Sequence, residues 1–329
     1  MERKKWIDLA RGLCMMAILY DHTEIYYTGD NIIPYHLYVT NALIAFYFIS
    51  GYLFYKESTF YYQRKMKSIL RTIIIPYFIF TCLIALPKAW VHGNDIHLSD
   101  IVKGIVLGQA SWFVAALIVA ELMFSTLLYI CKGKIVYLSA FSIGCLVLSM
   151  ILSFHQASYP WQISNALQAV FIIYLGYLYH MFEKTIYHVY SQRMMLLSFL
   201  LFVFIKIYES YKGMNLYINP IVIDNYVVFI LDVCLFNILL IHLCKYLEKN
   251  IYDQSHLLKM ISWTGAHSLV YYFLCGGVPL LVSMAMKKIS YAYEGQYVYV
   301  IIAFISVYFI TSVITWMIYR YIPQITGKR

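Results

Sequence analysis

Three side chains near the start of the chain combine types and spacing suited to chemistry in an apolar setting. In the stretch WIDLARGLCMMAILYDHTEIYY, Asp8, Arg11 and His22 interrupt a mostly apolar run. Arg11 and His22 are eleven positions apart, which at 100° per residue puts them on one helix face, separated by about 16.5 Å along the axis. Asp8 lies one turn before Arg11, at a spacing that allows an ion pair. The imidazole of His22 can take or give a proton near neutrality, and Asp21 and Glu24 flank it in sequence. Two readings of Asp8 and Arg11 fit equally: interfacial groups that snorkel to water, or paired groups facing a cavity. For His22 the second reading is favoured, because ionisable residues within membrane spans tend to face the bundle interior and to be functional.

That argument needs a membrane helix, and the composition supplies one. Of 329 residues, 62% are apolar and only 12% are charged, against about 25% charged in soluble domains. A water-soluble fold and a disordered chain are both excluded. At about 20 apolar residues per span, the apolar content allows about ten membrane helices and no separate soluble domain. Apolar runs at 7–27, 37–55, 73–91, 112–131, 135–154, 162–182, 194–209, 222–244, 261–286 and 297–319 match that ceiling. The fold class is therefore all-α, a polytopic membrane protein of about ten transmembrane helices forming a single domain over 1–329. The start, Arg3-Lys4-Lys5 before an apolar stretch, resembles a secretory signal, but Asp8 and Arg11 stand where a signal is apolar. The first segment is expected to stay in the protein.

Orientation follows from the 25 lysines and arginines. With the N-terminus inside, six fall in outer segments (Lys88, Lys103, Lys206, Lys212, Lys287 and Lys288), Arg11 lies within the first helix, and the other eighteen fall in inner segments. This bias places both termini in the cytoplasm. The net charge of +9 then records membrane orientation and gives no reason to expect nucleic acid. The seven cysteines form no CxxC pair and sit mostly within apolar runs. Neither a disulfide framework nor a metal site is expected.

Five basic residues, Lys56, Arg64, Lys65, Lys67 and Arg71, crowd the inner loop between the second and third runs. Positive-inside charge and attraction to anionic lipid account for such a loop. A phosphate-binding patch for a cytosolic cofactor is the functional alternative, since Arg suits bidentate phosphate contact. Glu121 in the fourth run, and Asp232 and His242 in the eighth, are ionisable groups that either line a cavity or hold the bundle together. Trp112, at the outer start of the fourth run, is an interfacial anchor by default.

Taken together, these residues resemble the membrane acyltransferase-3 family. Arg11 and His22, with ten residues between them, look like its Arg-x10-His signature, opened by Trp6-Ile7-Asp8. Phe46-Tyr47-Phe48-Ile49-Ser50-Gly51-Tyr52-Leu53 is similar to its second-helix motif, which brings in Ser50. The basic loop running through Arg71 into Pro76-Tyr77, Trp112-Phe113-Val114, the Gly176 pattern at 174–178, and Thr264-Gly265 through Ser268 and Tyr272 resemble further motifs. The resemblance spans residues 6 to about 275, and the length is similar to that of stand-alone members such as fucose-4-O-acetylase-like proteins. Two positions depart from it. Ile69 stands where the family often has the first arginine of Arg-x-Arg, and Cys275 stands where relatives often have histidine, so no catalytic role is placed at Cys275.

The resemblance implies an O-acyltransferase of a bacterial inner membrane. It would move an acetyl or other short acyl group from cytoplasmic acetyl-CoA to a hydroxyl of an extracytoplasmic or lipid-linked glycan. His22 would act as base or transient acyl acceptor, Arg11 would help to position the donor, and Asp8 would orient Arg11. Asp21 or Glu24 would orient the imidazole, and Arg64, Lys65, Lys67 and Arg71 are the candidates for CoA. The rival is a transporter or exporter of a glycan or lipid-linked sugar. It would use the same polar cavity without acyl chemistry, although no paired repeats with broken helices are visible.

Overall fold

A computed structural model describes residues 4–56, 59–91, 97–154, 159–189, 192–289 and 293–327. Arg3, Lys328 and Arg329 of the basic segments lie outside the described residues. Along the chain the helices are α1 (Lys5–Thr28), α2 (Tyr35–Phe54), α3 (Tyr62–Ile69), α4 (Ile75–Val91), α5 (Leu98–Val106), α6 (Trp112–Ile130), α7 (Ile135–Phe154) and α8 (Ile163–Met181). They continue as α9 (Glu183–Val189), α10 (Gln192–Lys212), α11 (Tyr226–Asn250), α12 (His256–Ala266), α13 (Ser268–Leu274), α14 (Val278–Lys288) and α15 (Tyr297–Tyr321). Between α10 and α11 a short antiparallel hairpin pairs β1 (Leu216–Ile218) with β2 (Ile221–Ile223). Nothing in the sequence pattern points to it.

The chain is an all-α membrane protein. Among the described residues, seven helices are long and apolar enough to cross a bilayer, or eight if the bent pair α13–α14, inclined by 47°, counts as one span. Outside that set lie α1, which carries Lys5, Asp8, Arg11, Asp21 and Glu24, and α8, which carries Asn165, Gln168 and His180. Both are helices of span length whose polar content lowers their hydropathy.

Two expectations are corrected. The run at 261–286 is not one helix: α12 stops at Ala266, and α13 ends before Gly276-Gly277, with Pro279 opening α14. Glycines and a proline without its N–H interrupt the helical ladder there. The basic stretch at 56–71 is not simply a loop. From Tyr62 it is helix α3, and a five-residue π segment, Leu70–Ile74, joins it to α4 with Arg71 inside. π segments inside α-helices occur often at functional sites.

The chain divides into two compact units, one of residues 1–42, 78–102 and 243–329 and the other of residues 43–77 and 103–242. In the first unit α1 is the core. Leu9, Ala10, Met15 and Leu19 are fully buried, and α1 crosses α12 through glycine. A Cβ on Gly12 would fall on the carbonyl of Ile261, and one on Gly265 would fall on the carbonyl of Asp8. In the second unit α2 and α8 cross in the same way, Gly51 lying against the Ile173 carbonyl and Gly176 against that of Phe48. Where lipid is as apolar as leucine, close backbone approach is a main source of helix association. The Ser50-Gly51, Gly176 and Gly265 motifs therefore owe their glycines to packing.

Candidate active site

In the first unit the C-terminal half of α1 forms a polar cluster around His22. The imidazole Nδ1 lies 3.4 Å from Asp21 Oδ2, and Asn31 Nδ2 donates to Asp21 Oδ1 at 2.7 Å. Asp21 is buried and His22 is about one-third exposed, so the carboxylate is held on two sides while the ring retains access. Glu24 serves other groups. The Tyr297 hydroxyl donates to its Oε1 at 2.9 Å and the Ile33 N–H to its Oε2 at 3.1 Å, while Tyr297 also pairs with Tyr20. Between the two carboxylates left open by the sequence, geometry therefore selects Asp21 for the imidazole and gives Glu24 to the joint between α1 and α15. At the other end of α1, Asp8 is buried and Arg11 half-buried, three positions apart.

Two residues near this cluster escape sequence reasoning. The side chain of Cys275 lies beside His22, its thiol donating to the Tyr272 carbonyl at 2.9 Å. Departure from the family's histidine at that position argues against any role, and only three-dimensional proximity brings it in. Asn41, fully buried on α2, has neither its Nδ2 nor its Oδ1 satisfied among the described residues. Tyr38, one turn earlier with its ring 6.4 Å from that of Tyr20, also has a buried hydroxyl without a partner there. A buried amide left unbonded is costly, so Asn41 marks a place for water or a polar ligand.

The second unit collects three of the sequence candidates at one point. Lys65 Nζ lies 2.9 Å from Glu121 Oε2, and Ser50 Oγ donates to Glu121 Oε1 at 2.5 Å. The same ammonium stands 3.8 Å over the Phe54 ring. Lys65 thus fastens α3 to α6 and α2. On the outward face of α3, Arg64 and Lys67 line a groove of about 540 Å³ together with Phe60, Tyr61, Tyr62 and Tyr129. Arg64 lies 5.6 Å from the Tyr61 ring. Arg71 belongs to the π segment and does not line this groove. Aromatic faces beside a guanidinium and an ammonium can stack a base and hold phosphate.

The remaining candidates are placed elsewhere in this unit. Asp232 Oδ2 accepts from Lys206 Nζ at 2.7 Å, and Lys206 also reaches Glu209 at 3.0 Å. This buried triad joins α10 to α11. His242 Nδ1 lies 2.8 Å from the Ile238 carbonyl one turn back on its own helix. Trp112 is half-buried at the start of α6, edge-on to Phe113 at 5.7 Å. A further cluster has no warning in the sequence: His180 stacks on Tyr52 at 3.8 Å, and the Tyr52 hydroxyl donates to Glu183 at 2.8 Å.

Residues 4–321, essentially the whole chain, match the family model Acyl_transf_3, an acyltransferase domain. The chain belongs to the membrane acyltransferase-3 family. No curated protein and no solved structure matches it. As a member of this family it is an acyltransferase, acting on an acyl donor and an acceptor substrate, embedded in a membrane through several apolar helices. Among the described residues no group of three or more His, Cys, Asp or Glu is placed to hold a metal ion.

Proposed function

We propose that this acyltransferase moves an acetyl or other short acyl group from cytoplasmic acetyl-CoA to a hydroxyl of an extracytoplasmic or lipid-linked glycan. In this reading α1 and α8 also span the bilayer, making about ten spans over a single membrane domain of 1–329. Both termini are cytoplasmic and the protein sits in a bacterial inner membrane. The asymmetry of basic residues supports that orientation.

The observation that carries the proposal is the contact of His22 with a buried carboxylate that is itself held by Asn31. A histidine whose one nitrogen is fixed by a carboxylate has its tautomer and ring angle set for proton transfer at the other. The acceptor hydroxyl gives its proton to the imidazole, its oxygen forms the ester bond to the acyl carbon, and the thioester bond to CoA breaks. The proton then returns to the departing thiolate. Arg11, oriented by Asp8, positions the donor. Arg64 and Lys67 meet the phosphates of CoA across the aromatic groove, with Arg71 as a further cation, while Lys65 acts as a positioning residue.

The test uses purified protein in proteoliposomes with radiolabelled acetyl-CoA, and mass analysis of cell-surface glycans with and without the protein. Label on an acceptor, lost in His22→Ala at normal accumulation, supports the reading. Glycan movement across the membrane without transfer of label would replace it with the transporter reading.

A further inference from the structure

The second unit carries a second cavity, at the end of the unit opposite the basic groove. Helix α7, about 30 Å long at 1.5 Å per residue, starts beside the Cys131–Lys134 turn that follows Tyr129 of the groove. It ends at Leu152 and Ser153, which line a pocket of about 300 Å³. The rest of the wall comes from the connector into α8, the first turn of α8 and the tip of the β1–β2 hairpin. Among the described residues the ten that line it are all uncharged. The groove end, by contrast, carries Arg64 and Lys67 in its wall and Lys132 and Lys134 in the adjoining turn.

The pocket is a built site. Asn165, nine-tenths buried, donates from Nδ2 to Gln162 Oε1 at 3.0 Å and to Asn219 Oδ1 at 3.4 Å, joining α8, connector and hairpin. Ser149 Oγ donates to the Ser164 carbonyl at 2.8 Å and fixes α7 against α8 below the floor. The connector holds Trp161 and Gln162 in consecutive left-handed conformations, each with φ of 54°. Strain of this kind persists only where surroundings impose it. Here the Trp161 N–H is bound to the Leu107 carbonyl at 2.7 Å, and its side chain packs over Gly108 and 5.5 Å from the Tyr77 ring. One turn deeper on the face of Ser164 and Asn165, the buried Gln168 has an Nε2 without a partner among the described residues.

We propose that this pocket binds one uncharged sugar residue of the acceptor glycan. Paired amides and hydroxyls on Gln162, Ser164, Asn165 and Asn219 match adjacent sugar hydroxyls in both donating and accepting senses. Tyr159 offers a ring to the apolar face of the sugar. Leu152, Pro220, Ile221 and Val222 make part of the wall apolar, so the pocket offers both an apolar patch and convergent amides and hydroxyls, the pairing that suits a sugar ring and that a lipid tail does not need. By the basic-residue asymmetry the pocket lies on the extracytoplasmic side. The inference rests on the reading that the acceptor is a glycan reached from that side.

The test is saturation-transfer NMR on detergent-solubilised full-length protein with methyl glycosides of neutral hexoses and 6-deoxyhexoses. Radiolabelled acetyl-CoA binding and gel filtration are measured on the same samples. Transfer to at least one glycoside, reduced about tenfold in both Tyr159→Leu and Asn165→Leu with acetyl-CoA binding within twofold of the parent, supports the proposal. The tenfold corresponds to the loss of about one hydrogen bond or stacking contact. Tyr159 lies on the connector, so its variant retains the fold even if Asn165→Leu does not. No transfer to any glycoside, or equal transfer in Tyr159→Leu and parent, overturns it. Glycoside binding with no acetyl-CoA binding in the parent would overturn the donor assignment and leave the sugar pocket standing.

Discussion

The contact of Lys65 with Glu121 predicts a division of the basic segment into one structural cation and others that meet the ligand, and this division can be measured. The pair is 2.9 Å apart, with side chains 26% and 8% exposed, and Glu121 also accepts from Ser50. Removing one partner of a fully buried ion pair costs about 3–5 kcal/mol. A quarter-exposed ammonium regains some water, so Glu121→Leu is expected to lose about 2–3 kcal/mol, discounted from that range. Lys65→Met leaves a carboxylate that can take a proton, and a loss of about 1–2 kcal/mol is expected. The double variant removes both charges and keeps the apolar volume, so it should be more stable than the sum of the two, with a coupling of about 1.5 kcal/mol or more. Thermal unfolding followed by fluorescence-detected gel filtration gives the stabilities, and acetyl-CoA binding is measured in parallel. Lys65→Met should stay within threefold of the parent in affinity, whereas Arg64→Ala and Lys67→Ala should each fall about tenfold. Additive stabilities, or a loss of affinity in Lys65→Met equal to that in Arg64→Ala, would refute the division of roles.

Three further outcomes are expected. His22→Gln should lower acyl transfer by about 10²–10⁴-fold, the range for a positioned acid or base, and Asp21→Asn should lower it by about tenfold or more through the imidazole. Glu24→Gln should act mainly on thermal stability; single-turnover transfer from labelled acetyl-CoA separates the two classes. Gly265→Val should prevent accumulation in the membrane, because its side chain would occupy the space of the Asp8 carbonyl. Gly144→Ala, at a site where a Cβ meets open space, should accumulate normally on the same immunoblot. Asn41→Leu should unfold at the same temperature or higher, since a buried amide without partners is replaced by a group that needs none. Its transfer activity should still drop about tenfold, and retained activity would remove Asn41 from the site.

The legible part of the fold is the part encoded in one-dimensional pattern. Hydropathy locates α2, α6, α7 and α15 to within a few residues, because a long, mostly apolar run leaves a helix few alternatives in lipid, and the shorter apolar stretches of α1 and α8 place those two helices despite their polar residues. The single helix expected at 261–286 fails for a local reason. Gly276-Gly277 and Pro279 are visible in the sequence, but the apolar content around them outweighs them. The helix in the basic stretch escapes for the opposite reason: α3 is too polar to register as a span, and its apolar face is defined only by what covers it. Ile69, buried on that face, and Leu70, exposed beside it, look alike in sequence.

Polar partnership is the less legible part, since its members are far apart in the chain. Ser50 and Glu121 are 71 positions apart, and Glu24 and Tyr297 are 273 apart. Residue type can single out one member of such a pair, but nothing in the sequence joins it to the other. Pairing is nevertheless what assigns the roles. Asp232, which the sequence leaves between lining a cavity and holding the bundle together, is found paired with Lys206 beside Glu209, and the proposal treats Lys65 as a positioning residue because it is paired with Glu121. Asp21 replaces the choice between two carboxylates because Asn31 and His22 meet it from either side. In a membrane, where an ionised group without a partner is expensive, a charge already satisfied by the fold is a poor candidate for chemistry. Access and incomplete satisfaction are then the marks of a working group. On that criterion the proposal places His22, which keeps exposure while its carboxylate is buried, and Asn41, whose amide has no partner among the described residues, at the chemistry.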